Sequence, residues 1–562
     1  MKLKSIIYSG VLFGAVSCAD LDLNPLSEGS SEAWYSNETE VEMSVNDLFR
    51  GVFWPGYSDS WTDDYTNREA LTPITNATIN GEWGTVNNIW SNTYKVIARS
   101  NTLLLNLDKI ANTVPQQTLD KFAGNAHFVR AAKYGELVFL YGDVVYSTTI
   151  LDLEEAFTMS RTDKNTVKEA VYEDFDRAAA LLPETYGSSE NKLATKGAAY
   201  AMKARFALQM GDFGIARDAA KACMDLGIYE LYPDYSELFL TGTRNPSEVI
   251  FAMPRSRALN VTWGVRNYLP RNRGGWGGAE APSWDLFHAY LCTDGLPIDE
   301  SPLYDPQNPF NNRDPRCAAT IVPFGTRHLD FTYQPHPDST MVMNFSTGSM
   351  QTNNDTRSVA PFASFNGLLR KKGVNEEWLP NFQAENDEIL MRYADVLLMY
   401  AEAKIELGEI EPGVHDAMNA VRARAYGVDP TQTGEYPAIT TTDQAALRTL
   451  LRTERRMEFG FEGIRYSDII RWEIAEKVLN RDIYGMLDVA ELKEKVVDQD
   501  LWFFPMTPEI DEDGVADLSP MFEAGLVKRL AIRRFEAPKQ YLWPIPSKEI
   551  LINANLDQNP GY

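Results

Sequence analysis

Residues 451–472 read LRTERRMEFGFEGIRYSDIIRW, and the spacing of their charges decides how the chain is to be read. Arg455, Glu458, Arg465, Asp468 and Arg471 alternate in sign across a Gly-containing break. Such an alternation forms charge-assisted hydrogen bonds that lock one helix end to the next helix, with Trp472 packed beneath. Glu454 and Glu458, one turn apart, also have the spacing of an acid/base pair. Their neighbouring arginines hold both ionised, which suits a salt-bridge network and not an acid of raised pKa. The segment is structural, and the helix of 441–460 opens with a Thr441-x-x-Gln444 capping pattern.

Outward from this segment the chain reads mainly as helices of period 3.6, separated by loops rich in Gly, Asn and Pro. Long amphipathic stretches cover 89–110, 126–142, 166–183, 195–212 and 389–409. Two helix–turn–helix units share one grammar: ALQMGDFGIARDAAKAC turns at Gly211-Asp212, and IELGEIEPGVHDAMNAV turns at Gly408-Glu409. Each places small alanines and long aliphatics before the turn and spaced alanines after it. These hairpins look like tetratricopeptide units, in which alanine permits close helix approach. The expected architecture is therefore mainly α: a helical-hairpin scaffold over about 88–228 and 386–480, with a loop-rich insertion at about 230–385. An excursion of that length with so many aromatics is functional and not disordered. Pro544, Pro546 and Pro560 make the C-terminal stretch a strap across the scaffold.

The 562 residues are 44% hydrophobic and 23% charged, an ordinary globular composition with a net charge of −26. Nucleic acid is thereby excluded as a partner, since phosphate binding needs clustered Lys and Arg; neutral or cationic ligands fit the overall charge better. At the N-terminus, Lys2 and Lys4 precede an apolar run from Ile6 to Val16 that is too short to span a bilayer. It ends in Ala15-Val16-Ser17-Cys18, which looks like a bacterial lipobox with Ala15 in place of the usual leucine. The expected division is a lipoprotein signal peptide at 1–17, a lipidated tether at 18–30 starting from Cys18, and one domain over 31–562. The alternative is cleavage nearby that leaves Cys18 a free thiol. Cys223, Cys292 and Cys317 give no zinc spacing, and neither do the five histidines.

Four stretches together resemble the SusD/RagB family, nutrient-binding surface lipoproteins of Bacteroidota. They are AHFVRAAKYGELVFLYGDVV, EILMRYADVLLMYAEAKIELGE, the segment at 451–472 and the terminal YLWPIPSKEILINANLDQNPGY. Val145 stands where the family commonly has proline. The resemblance implies four tetratricopeptide-like units packed against a SusC-like TonB-dependent transporter, a loop-rich part that holds a glycan, and a surface position on the outer membrane through the lipid at Cys18.

Glycan capture needs flat aromatic faces and planar polar groups held on loops. Trp61, Asp64, Tyr65 and Trp83 lie in a polar N-terminal loop without helical period; Trp263, Trp276, Arg273 and Tyr333 lie in the excursion. Trp83 in NGEWG ranks first and Trp276 in NRGGWGG second. Each of these aromatics is either a ligand platform or a plug that fastens its loop to the scaffold. Asp63-Asp64 are adjacent and point apart, which does not suit a glycosidase pair. Glu509, Asp511, Asp513, Gly514 and Asp517 follow the spacing of a calcium loop, but Pro520 replaces its bidentate Glu. No cofactor is expected, with a structural calcium near Asp511, Asp513 and Asp517 as the one exception to weigh. The leading reading is a binding protein and not an enzyme; the alternatives are a peptide-capturing transporter subunit and a secreted glycoside hydrolase.

Overall fold

The computed structural model describes residues 34–187 and 193–562. Cys18 and the remainder of the expected signal and tether lie outside the described residues. Ten helices form the scaffold: α1 (Glu38–Leu48), α2 (Gly84–Asn106), α3 (Gln116–Tyr141), α4 (Lys164–Leu181) and α5 (Lys196–Met210), then α6 (Phe213–Met224), α7 (Tyr393–Glu406), α8 (Pro412–Ala425), α9 (Gln444–Phe459) and α10 (Arg465–Arg471). Helices adjacent in sequence pack on one another from α2 to α8, and α6 packs on α7 across the long excursion. Small residues set how closely they approach. Ala198, Ala201, Ala204 and Ala207 of α5 are fully buried where α5 meets its neighbours. A Cβ on Gly135 of α3 would stand 3.1 Å from the Phe206 ring. Both hairpin turns end in a left-handed glycine, Gly211 at φ 76° and Gly408 at φ 72°, a conformation that costs a residue with a Cβ about 1 kcal/mol.

Helix α9 is the hub. Asp443 caps it, accepting from the Ala446 amide at 2.8 Å. The expected Thr441–Gln444 cap is thus displaced: Thr441 accepts from the Asp443 amide, and Gln444 donates to the Ile405 carbonyl. Glu454 and Glu458 are both fully buried. Glu454 is held by Arg316 and Arg422 at 2.7 Å each, and Glu458 by Arg316 at 3.0 Å, Arg392 at 2.6 Å and Arg424. Burial pushes the Glu458 carboxyl up, but Arg424, Arg392 and Arg316 outweigh it and hold the group well below the carboxylate range. Arg455 bridges to Asp395 of α7 at 2.8 Å and Asp468 of α10 at 3.0 Å, and Arg471 joins Asp468 to Glu402. Arg456 and Arg465 take Asp63 and Asp64 of the N-terminal loop. Buried charges survive only when paired, and here the pairing ties helices, N-terminal loop and excursion to one helix.

The excursion is rooted by antiparallel pairing of β2 (Val249–Met253) with β10 (Glu388–Arg392), which delivers the chain into α7. A second root pairs β3 (Trp263–Gly264) with β9 (Gln383–Ala384). Between them lies a four-stranded antiparallel sheet, β5 (Thr326–His328), β6 (Phe331–Tyr333), β7 (Met341–Asn344) and β8 (Ser349–Thr352). β1 (Tyr65–Thr66) pairs with β4 (Ala281–Pro282), so the N-terminal loop is stitched to the excursion. The C-terminal stretch straps the scaffold: the Trp543 amide donates to the Leu140 carbonyl, and Asn559 Nδ2 donates to the Tyr141 and Trp543 carbonyls. Cys223, Cys292 and Cys317 are buried free thiols.

Candidate functional site

Two features face solvent where the N-terminal loop meets the excursion: an aromatic platform and a cleft. The platform is built by two loops. In NRGGWGG, Arg271–Arg273 make one 3₁₀ turn. A Cβ on Gly275 would meet the Leu269 carbonyl oxygen at 2.1 Å, so the chain closes there only without a side chain. The Trp276 amide then donates to the Arg266 carbonyl at 2.8 Å, and the indole is turned outward, 49% exposed. Arg266 lies between two rings, 5.0 Å from the centre of Trp276 and 4.8 Å from that of Phe382, which braces one face of the indole.

The second loop carries Phe362, 61% exposed. Arg68 Nη2 donates to the carbonyls of Phe362 at 3.1 Å and Trp276 at 3.5 Å, and Arg271 Nη1 donates to the Phe362 carbonyl at 3.3 Å. One guanidinium thus pins both aromatic residues. Asp355 completes the joint by accepting from the Arg271 amide at 2.6 Å. Burial pushes its carboxyl up to about 6, against the lowering effect of that amide and the amide of Asn272.

The cleft, of about 470 Å³, opens between scaffold and excursion and is lined by Tyr65, Trp263, Tyr268, Asp59, Glu280 and Arg370 among others. Arg255 stands 5.3 Å from the Trp263 ring centre, and Arg370 stands 4.9 Å from that of Tyr268. Asp59, open in part to the cleft yet enclosed by protein, is pushed by burial up to about 7, with Arg370 opposing.

Of the eight residues singled out in the sequence, Trp276 stands on the platform with Arg273 in the turn that precedes it, and Tyr65 and Trp263 come together at the cleft. Three others are corrected by burial. Trp61 packs edge-on against Trp83, Tyr466 and Trp543; Asp64 is ion-paired to Arg456 at 2.7 Å; the Tyr333 hydroxyl donates to the Gly367 carbonyl inside a small core. Each is at most 6% exposed, so none presents a face to a ligand. Trp83, ranked first, is half-buried at the start of α2 with its ring on Trp61 and Trp543, and plugs its loop onto the strap. Trp90 of α2 is buried, and Trp472, expected beneath the charged segment, is half-buried between Arg452 and Arg471. In the stretch with calcium-loop spacing, Lys477 Nζ lies 2.9 Å from Asp511, 2.9 Å from Glu512 and 2.8 Å from Asp513. Sequence reading missed Phe362, Arg68 and Arg266, although Phe362 in SVAPFASFNG meets the same test as Trp276, an aromatic outside any amphipathic period among small and polar residues.

Comparison with known proteins decides the family. The family model described as SusD family matches residues 247–562, more than half the chain, and a second, described as starch-binding associating with outer membrane, matches residues 31–208. The chain belongs to the SusD family. Among SusD-family relatives, SusD-like protein P2 of Formosa agariphila is 24% identical over 591 residues and matched along 100% of both chains. A SusD-like carbohydrate-binding protein of Bacteroides fragilis is 27% identical, with a TM-score of 0.76 over 93% of this chain and 99% of that one. A laminarin-binding SusD-like protein superposes with a TM-score of 0.61 at 19% identity, covering 94% of this chain and 100% of the other, a likeness of fold. The SusD fold accounts for the helical-hairpin scaffold expected from the sequence. No helix among the described residues is long and apolar enough to cross a membrane.

Proposed function

We propose that this SusD-family chain captures glycan at the cell surface, is held to the outer membrane by a lipid on Cys18, and hands its ligand to a SusC-like TonB-dependent transporter. The observation that carries the reading is the pair Trp276 and Phe362, 49% and 61% exposed and pinned by one arginine. Burying one face of such a ring against sugar C–H groups is worth about 1–2 kcal/mol, a part of the gain for a fully buried side chain, and exposed apolar surface of this kind is where ligands dock. The printed descriptions of the relatives as carbohydrate-binding and laminarin-binding proteins support it, as does the family description associating with outer membrane. The lipobox-like Ala15-Val16-Ser17-Cys18 supports the tether.

One observation favours a hydrolase: Asp59, held up at about 7, shares the cleft with Glu280. Against it, the Asp59 carboxylate accepts from the Gly463 amide and faces Arg370, so it serves to position the 461–464 turn. Affinity electrophoresis and calorimetry on a polysaccharide panel, run beside a reducing-sugar assay, separate the readings. Binding without sugar release is expected. Release of reducing ends would make the protein an enzyme, and binding of peptides in place of every glycan would make it the peptide-capturing subunit.

A further inference from the structure

The chain carries a net charge of −26, yet Arg68, Arg266 and Arg271 touch the exposed aromatic pair or its backbone, and Arg273 stands in the same turn as Arg271. Around Glu458 and Asp63 its arginines are matched to acids. Here they are not. The contacts of Arg68, Arg266 and Arg271 run to the carbonyls of Phe362, Trp276 and Gly274 and to aromatic rings. Among the described residues none of the four has a carboxylate ion-pair partner. Asp355, whose charge Arg271 feels, spends its carboxylate on the backbone amides of Arg271 and Asn272. The Nε atoms of Arg68 and Arg271 are shielded from solvent with no acceptor. Burial and the neighbouring Arg271 both draw the Arg68 pKa down, so uncompensated positive charge is gathered at this spot.

An acidic protein that concentrates unpaired guanidinium groups on one face has built a local field for anions, whatever its total charge. Guanidinium forks match planar carboxylate and the tetrahedral oxygens of sulfate, and they flank the rings on which a sugar would stack. We propose that the Trp276–Phe362 face takes an acidic glycan, one whose sugars carry carboxylate or sulfate groups. This rests on the glycan-capture reading and narrows it, against the neutral or cationic ligand that overall composition suggests.

The test uses polymers in charge-matched pairs: dextran against dextran sulfate, and methyl-esterified against de-esterified polygalacturonate, with uncharged laminarin and starch alongside. Binding of the full chain is measured at low and at moderate salt. The expected result is at least about tenfold tighter binding to a charged member than to its uncharged partner, weakening as salt rises through the range where the Debye length falls below about 10 Å. Which pair responds tells carboxylate from sulfate. The variant R266Q/R273Q should lose about tenfold of its affinity for the charged member while its affinity for the uncharged partner stays within twofold, and R266K/R273K should recover part of the loss. Equal binding to both members of each pair, or binding confined to laminarin or starch, would overturn the acidic-ligand inference and leave glycan capture standing. Retention of none of these polymers would count against glycan capture itself.

Discussion

Replacing Glu458 by Gln tests the claim that one charged helix holds the scaffold, N-terminal loop and excursion together. The substitution keeps the volume of the side chain and removes one negative charge from a site that is fully buried. Arg316, Arg392 and Arg424 would then share Glu454, Glu248 and Glu462 without Glu458. Removing one partner from a buried ion pair costs about 3–5 kcal/mol, because the remaining charge stays desolvated. Unfolding entropy of about 2.1 cal/mol/K per residue gives a chain of this length about 1.2 kcal/mol/K, so a loss of about 4 kcal/mol lowers Tm by roughly 3–4 °C. Differential scanning calorimetry reads this directly. The pH dependence gives an independent check. The Glu458 carboxyl is depressed in the folded state below its ordinary value of 4.5, so its stabilisation is complete above that value and is lost as pH falls below it toward the folded pKa. The variant should therefore lose less stability than the parent as pH is lowered from about 5 to 3. An unchanged Tm at pH 7, or parallel pH profiles, would refute the view that these arginines depend on Glu458.

Other substitutions probe other parts of the account. Asp59→Asn should flatten the fall in stability that the parent shows as pH rises from about 4 to 7, because a raised carboxyl binds a proton on folding in that window; thermal scans across the range would show two identical profiles if Asp59 were not buried as described. Trp83→Ala should lower stability by about 2 kcal/mol, a part of the cost of a full Trp truncation, while glycan affinity measured by calorimetry stays within twofold; an affinity loss at constant stability would restore Trp83 to the binding site. Gly81→Ala should loosen the C-terminal strap, since its Cβ would lie 2.7 Å from the Ile545 carbonyl, and limited proteolysis near the C-terminus would be faster; unchanged cleavage would contradict that packing. Cys18→Ser should move the protein from membrane to soluble fraction with ligand affinity intact, and retention in the membrane would refute the lipid tether.

The sequence made the scaffold legible because its signals are local. Helical period, alanine spacing and the Gly211 and Gly408 turns each depend on residues a few positions apart. The alternating charges of 451–472 announced a network, and Arg455, Asp468 and Arg471 do pair with one another. What could not be read was the reach of that network. Asp63 and Asp64 lie nearly four hundred residues from Arg456, and only the folded chain brings them together. The same limit governed the aromatics. Trp61, Trp83 and Trp276 all sit in polar, glycine-flanked segments, and local composition does not separate them. Trp61 and Trp83 are covered because Trp543 arrives from the far end of the chain, whereas Trp276 stays open because Gly275 and Arg266 turn it outward.

The central claim is that Trp276 and Phe362 are the surface on which a glycan is captured. It is tested most directly by titrating a polysaccharide that the parent binds into the double variant Trp276→Ala/Phe362→Ala under isothermal calorimetry. Both rings are largely exposed, so the variant should fold with an unchanged Tm. Losing two stacking faces should cost about 2–4 kcal/mol, or about thirtyfold or more in affinity. Parental affinity in a correctly folded variant would contradict the account.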